Sequence, residues 1–341
     1  MRFLKVFMDQ NNRCNLRCRM CGFSDPRVTG LRGHDMPMWL FRRVVDEVFP
    51  HAHYVALSCL AEPFMTRDIT QRLDLLRDQP GLEIEIISNG TLLTPERIGS
   101  MIENRISRIG ISIDGASRDV YEKIRVGAKF DRVIGNIRLL NEMKAASGSR
   151  LPALRFLHVI SEANVDHFDA FLEMAEELSV ESVDVRTIQP FVNADDRGSD
   201  EAVFWDKIKR CRKRLAEWLD RTGVQDLGYL RTTNDKIDLF NEQGELVPCN
   251  AAFENLTILF NGDVVPCTAW SRPPVGNLGH QSFDEIWNGA AARAIREEFA
   301  EKKPGRDCHY CTIIREDPEV EGDAFFKLIT REPAGPEPPR E

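Results

Sequence analysis

Residues 3–21 read FLKVFMDQNNRCNLRCRMC, and this stretch decides how the rest of the chain is to be understood. A short apolar run, 3–8, has the length and the branched and aromatic content of a buried strand. A polar turn follows, and then Cys14, Cys18 and Cys21 with three and two residues between them. Three closely spaced thiolates on one loop can hold three irons of a cubane 4Fe–4S cluster and leave the fourth iron open to a small molecule. A zinc site or a redox-sensing loop is the competing reading, but structural zinc wants four protein ligands and no fourth lies nearby.

The pattern begun at residue 3 continues. Short apolar runs at 54–59, 83–88, 109–114, 155–160 and 183–189 alternate with amphipathic stretches at 39–48, 97–104, 133–143 and 168–178. In the third of these, Val133, Ile134, Ile137, Leu140 and Met143 follow helical spacing, as a helix lying on a sheet requires. Six β-α units in series predict a parallel α/β fold, an open sheet or a partial barrel, with ligands beyond the C-terminal ends of the strands. After Pro190 the pattern changes. Residues 191–200 are polar, and 201–222 read as a solvated helix. From about 246 a smaller α+β unit is expected, with a hairpin at Asn261-Gly262 and a helix over 283–299. The expected division is 1–190, a bridge at 191–245, a small unit at 246–331 and a Pro- and Glu-rich disordered tail at 332–341.

Bulk properties exclude several classes. The chain has 341 residues and a formal net charge of −9, which argues against a general nucleic-acid binder. No apolar run approaches membrane-spanning length and no secretion signal is visible, so a cytoplasmic location is expected. Seven of the nine cysteines fall in two groups, which in a reducing compartment points to metal rather than disulfides. The second group is Cys249, Cys267, Cys308 and Cys311. Four thiolates suit a fully ligated 4Fe–4S cluster or a structural zinc, and spacing does not separate the two.

The Cys14–Cys18–Cys21 loop after a first strand resembles the signature of the radical S-adenosylmethionine (SAM) superfamily. Later segments resemble family elements in the same order. Leu60-Ala61-Glu62-Pro63 is similar to the glycine-glycine-Glu-Pro motif that contacts the SAM amine, with both glycines replaced. Ser88-Asn89-Gly90-Thr91 resembles a common family turn. Ile111-Ser112-Ile113-Asp114-Gly115, followed by Tyr121 and Arg125, resembles the fourth strand and its sequel. The resemblance implies that Glu62, Ser88, Asn89, Ser112 and Arg125 bind SAM, with Ser112 at the ribose and Arg125 at the carboxylate. A guanidinium–carboxylate pair makes physical sense of Arg125. Met20 departs from the aromatic residue common at its position.

Cys249-x12-Gly262-x4-Cys267, Gly276-Asn277-Leu278 and the stretch 287–296 resemble the SPASM extension in its shortened "twitch" form. That form carries one auxiliary 4Fe–4S cluster, which takes an electron from the substrate radical or shapes the pocket. Some relatives place an Asp after the second hairpin cysteine as a base; here that residue is Thr268. The fold implied is a partial (β/α)6 barrel with a small C-terminal α+β cluster domain. The implied reaction is reductive SAM cleavage and hydrogen abstraction from an organic substrate, with electrons from a flavodoxin- or ferredoxin-type donor. Dehydrogenation or epimerisation of a small sugar- or aminocyclitol-like molecule is one outcome, and modification of a ribosomally made peptide is the other. A start so close to Cys14 leaves no room for a leader-peptide-binding domain and favours the small molecule. A redox sensor or electron carrier is the non-enzymatic alternative.

Outside both groups, Cys59 is placed at the end of the second strand, where it reads as a buried small residue or a hydrogen-atom donor to a substrate radical. Cys211 reads as a bystander in the basic run 207–214, which is a solvated face or a dock for an acidic partner. Arg186 and Arg231 read as surface ion-pairing groups or as residues orienting a substrate hydroxyl. Trp270 lines a pocket or simply packs, and His309 fills its loop.

Overall fold

A computed structural model describes residues 2–28, 31–77, 79–188, 201–228, 251–268, 270, 272–301, 331–335 and 337. Six parallel strands run in chain order: β1 (Leu4–Met8), β2 (Ala52–Ala56), β3 (Glu83–Ser88), β4 (Arg108–Ser112), β5 (Ala153–Ile160) and β6 (Ser182–Thr187). Their connections carry α1 (Met38–Glu47), α2 (Ile69–Asp74), α3 (Pro95–Glu103), α4 (Arg118–Ile124), α5 (Phe130–Ser147) and α6 (Phe168–Glu177). The order is linear and the sheet does not close, which is the partial-barrel form of an α/β fold.

Alternation along the strands sorts the two faces. Leu4, Val6 and Met8, Ile84 and Ile86, Ile109 and Ile111, and Val183 and Val185 are buried in one core with Leu40, Phe41 and Val44 of α1 and Val133, Ile137 and Leu140 of α5. Fully burying such a side chain is worth about 1.5–3 kcal/mol, so this stripe fixes the register of every strand. The other face is the concave side of the sheet and is polar at its base. Tyr54 Oη donates to Glu85 Oε2 at 2.5 Å, and Arg155 Nη1 reaches both Glu85 oxygens at 2.9 and 3.0 Å. Arg155 also pairs with Asp184, which accepts two bonds from Arg186 at 2.7 Å. Gly110 makes room for this group, because a Cβ there would stand 2.6 Å from Leu157 Cδ1 and 3.1 Å from Glu85 Oε1.

Beyond β6 come α7 (Glu201–Thr222) and β7 (Gln225–Asp226), which pairs parallel with β6. Helix α7 is not a solvated helix. Phe204, Ile208, Cys211, Leu215, Trp218 and Leu219 are buried in the main core, at the three- and four-residue steps of a helical stripe. Two of the basic residues between them pair within the chain, Lys207 with Glu162 and Asp166, and Arg214 with Asp169.

The C-terminal part begins with α8 (Ala251–Glu254), β8 (Asn255–Ile258), β9 (Asp263–Val265) and β10 (Gly276–Asn277). Strand β8 pairs parallel with β1, on the side opposite β2, so the sheet runs unbroken from the barrel into this part. The hairpin between β8 and β9 has three loop residues rather than two. Leu259 and Asp263 close it through Leu259 N–H to Asp263 O at 2.9 Å, and Gly262 takes the left-handed position at φ +88°. The helix read over 283–299 is two, α9 (Phe283–Trp287) and α10 (Ala290–Ala300), broken at Asn288-Gly289. Among the described residues no helix is long and apolar enough to cross a membrane.

Candidate active site

The loop after β1 is tied down from two sides. Arg17 N–H bonds Val126 O at 2.9 Å and Arg19 N–H bonds Ile124 O at 3.0 Å, so the loop lies against the end of α4. On the other side Glu62 N–H bonds Arg13 O at 2.8 Å, and Asn11 Nδ2 reaches Glu62 O at 2.9 Å and Thr66 Oγ1 at 2.8 Å. Cys14, Cys18 and Cys21 are thereby fixed as three free thiols close enough to feel one another's charge. Donors already point at the sulfurs: Leu16 N–H at 3.5 Å and Asn89 Nδ2 at 3.9 Å to Cys14, and Arg125 Nη1 at 3.8 Å to Cys18. Burial pushes the Cys14 thiol up to about 12 and Cys21 up to about 11, and raises Cys18 against the pull of Arg125. Among the described residues no three His, Cys, Asp or Glu side chains converge tightly enough for a single ion. A cubane spreads its thiolates further apart than a lone ion does, and N–H donors on sulfur are what a cluster thiolate accepts. The donor set fits an iron–sulfur cluster.

Two buried carboxylates shape the rim. Asp9, just past β1, accepts the backbone N–H groups of Cys59, Leu60 and Ala61 at 3.0, 3.0 and 3.1 Å. Three successive amides turned onto one anion form a nest. The nest also explains why β2 stops at Ala56 and leaves Cys59 on the following loop rather than on the strand. Burial raises the Asp9 pKa, opposed by these three bonds. Glu62 accepts Ser88 Oγ at 2.8 Å and Phe64 N–H at 3.2 Å on one oxygen, and Asn89 N–H at 2.8 Å on the other. Its pKa too is raised by burial and held back by the Asn89 and Ser88 bonds.

Arg125, at the end of α4, donates through Nε to Asp114 Oδ2 at 2.7 Å. Asp114 is pinned by Val159 N–H at 2.8 Å. Burial works against the charge on Arg125, but Asp114 and the Cys18 sulfur outweigh it and its pKa is raised. The Tyr121 hydroxyl is buried beside this group with no partner among the described residues. Met20, Ile124, Val159 and Ile188 line a shallow recess of about 10 Å³ next to the cysteine loop, together with Arg19 and Ser161.

The fold thus gathers Cys14, Cys18, Cys21, Glu62, Ser88, Asn89 and Arg125 at the C-terminal ends of β1 to β4, with Ser112 half-buried at the last position of β4. Cys59 lies apart from the three thiols. Burial drives its pKa well up, and Asp9 and Cys267 add to the shift, so it stands between the first strand and the C-terminal part. Cys249, Cys308, Cys311, Arg231 and His309 lie outside the described residues, as do residues 336 and 338–341 of the expected tail. Arg186 is held by Asp184, and Trp270 is packed, with Nε1 on Pro273 O at 2.9 Å and Arg272 over its ring. Asp9 escaped the sequence reading. Its one signal is an acid directly after an apolar strand, where the chain should be leaving the core.

An open parallel β/α sheet with three thiols on the loop after its first strand defines an iron–sulfur enzyme of the partial-barrel type. Residues 10–175 match the radical SAM superfamily, and residues 249–312 match the SPASM iron–sulfur cluster-binding domain. The AdoMet-dependent heme synthase of Methanosarcina barkeri is 23% identical over 317 residues, covering 87% of this chain and 86% of the relative. Among solved structures, SuiB of Streptococcus suis bound to its precursor peptide SuiA superposes with a TM-score of 0.67 at 16% identity, covering 86% of this chain and 67% of SuiB. The enzyme anSMEcpe with bound AdoMet gives 0.65 at 13% identity, covering 95% and 96%. At these identities the structural likeness speaks to the fold. The chain belongs to the radical SAM superfamily and carries a C-terminal SPASM domain. It is therefore an enzyme that uses SAM, a 4Fe–4S cluster and auxiliary iron–sulfur.

Proposed function

We propose that Cys14, Cys18 and Cys21 hold the SAM-binding cluster and that the enzyme directs a radical at a C–H bond of a small polar molecule, giving dehydrogenation or epimerisation. The observation that carries the reading is the meeting of the three thiols with Glu62, Asn89 and Arg125 at one end of the strands. The cluster with SAM supplies one-electron cleavage of the sulfonium to methionine and a 5′-deoxyadenosyl radical. The chain's own residues do the rest. Glu62, fixed by Ser88 and Asn89, presents a carboxylate to the SAM amine. Arg125 offers the N–H groups not taken by Asp114 and Cys18 to the SAM carboxylate. Ser112, half-buried at the end of β4, faces the ribose.

Substrate lies on the concave face over the Glu85–Arg155–Asp184 base, beside Arg186, whose side chain is 45% exposed. The heme synthase relative, matched over most of both chains, supports a small molecule. The SuiB–SuiA likeness favours a peptide as the second reading. Cys249, Cys267, Cys308 and Cys311 hold the auxiliary cluster. A cytoplasmic flavodoxin- or ferredoxin-type donor supplies the electrons.

The test is anaerobic reconstitution with dithionite and SAM, following 5′-deoxyadenosine by chromatography. Cleavage that disappears in Cys14→Ala, Cys18→Ala and Cys21→Ala supports the reading; cleavage that survives all three ends it. With substrate in hand, Cys59→Ala separates the outcomes. An epimerase loses its product, whereas a dehydrogenase keeps both product and yield.

A further inference from the structure

We propose that the Arg125–Asp114 pair sets the reduction potential of the three-cysteine cluster, Arg125 raising it through Cys18 and Asp114 holding that effect in check. The proposal rests on the reading that Cys14, Cys18 and Cys21 are the ligands. Its ground is geometric. Arg125 Nη1 stands 3.8 Å from Cys18 Sγ while Nε of the same guanidinium is 2.7 Å from Asp114 Oδ2. Asp114 is 0% exposed and Arg125 9% exposed. Neither charge is free to swing. Val159 N–H holds Asp114 Oδ1 at 2.8 Å, Asn164 Nδ2 holds the Asp114 carbonyl at 3.0 Å, and Arg19 N–H ties the cysteine loop to Ile124. A full positive charge is thus fixed against a cluster sulfur, with a full negative charge just behind it, where little water intervenes to screen either.

The step concerned takes one electron. A low-potential donor of the flavodoxin or ferredoxin class gives it to the oxidised cluster. It then passes to the sulfonium of SAM, whose S–C5′ bond breaks to methionine and the 5′-deoxyadenosyl radical. Electron uptake adds one negative charge to the cluster and its thiolates. An N–H donor and a cation on Cys18 stabilise that charge, and an anion nearby opposes it; net charge and hydrogen bonds to sulfur are the ordinary levers on such potentials. The two residues therefore act in opposite senses, which a merely structural role would not produce.

Potentiometric titration without SAM, followed by electron paramagnetic resonance on the signal that SAM later alters, reads the effect. Arg125→Gln should make reduction at least tenfold less favourable, a fall of about 59 mV for one electron. Arg125→Lys, which keeps the charge, should recover at least half of that fall. Asp114→Asn, which keeps an acceptor for Val159 but leaves Arg125 uncompensated, should move the midpoint upward. Shifts of Arg125→Gln and Asp114→Asn in the same direction, or no shift in either with iron content intact, would overturn the proposal. Failure of the ligand reading looks different: Cys18→Ala would then retain the same iron and the same signal as the unaltered chain.

Discussion

Asp9 Oδ1 accepts the backbone N–H of Ala61 at 3.1 Å, across 52 residues of chain, and the same oxygen takes the amides of Cys59 and Leu60. The segment before Glu62 thus has its shape imposed by an anion just past the neighbouring strand. Glycines in place of Leu60 and Ala61 would allow that shape through backbone freedom alone. Asp9→Ala should leave three amides without their acceptor, at about 1–3 kcal/mol of stability per buried unsatisfied group. SAM affinity should fall at least tenfold by calorimetry on reconstituted protein, with Asp9→Asn intermediate. Unchanged affinity in Asp9→Ala would mean that the loop keeps its shape without the nest.

Iron content should divide by cysteine group. Cys14→Ala, Cys18→Ala or Cys21→Ala should each lose about four irons and all SAM cleavage, whereas Cys267→Ala should lose auxiliary iron while SAM still binds. Equal iron loss from both groups, measured on anaerobically purified protein, would contradict two separate clusters.

The ionic base of the concave face should be costly to break from one side. Glu85→Ala leaves Arg155 buried with only Asp184, and a broken buried pair costs about 3–5 kcal/mol. Glu85→Gln, which still accepts from Tyr54, should cost less. Chemical denaturation of the two variants gives the comparison, and a Glu85→Ala loss below about 1 kcal/mol would show that water replaces the carboxylate.

His158 gives stability an acid edge. Its ring is stacked on Phe171 at 4.0 Å, its Nδ1 is 2.8 Å from Ile113 O, and burial lowers its pKa despite Asp114 nearby. The folded ring therefore binds a proton less readily than the unfolded one, whose ordinary value is near 6.5. Stability is whole above that value and falls as the pH drops below it, by up to about 1.4 kcal/mol per pH unit. His158→Gln should flatten the melting temperature between pH 7.5 and 5.5 relative to the parent. Parallel slopes would place the acid sensitivity elsewhere.

What could be read in advance follows from where information is stored in side chains. Strand β3 was legible to the residue, because its isoleucines alternate with glutamates and Ser88-Asn89-Gly90 ends it. The sequence places β2 two residues late and carries it through Cys59, since nothing in Leu57 or Ser58 reveals that Asp9 takes the next three amides. Helix α7 looked solvated because Lys and Arg crowd its sequence; the stripe from Phe204 to Leu219 shows only when every third or fourth residue is taken. The cysteine loop, Glu62 and Arg125 were visible as motif. The bonds of Arg125 to Asp114 and Cys18 were not, because they depend on how α4 lies against the loop.

The pairing of β8 with β1 has a consequence for how such proteins are cut and recombined. Strand β1, just ahead of the region that matches the radical SAM superfamily, and β8, inside the SPASM match, share one hydrogen-bonded sheet, with Lys5 opposite Asn255 and Phe7 opposite Thr257. Removing everything after the barrel would strip the outer edge from the strand that delivers the cysteine loop and leave a row of bare amides and carbonyls to recruit another chain. The C-terminal part is thus no detachable cassette: exchange between relatives would have to carry β1 and β8 together, as one inherited seam.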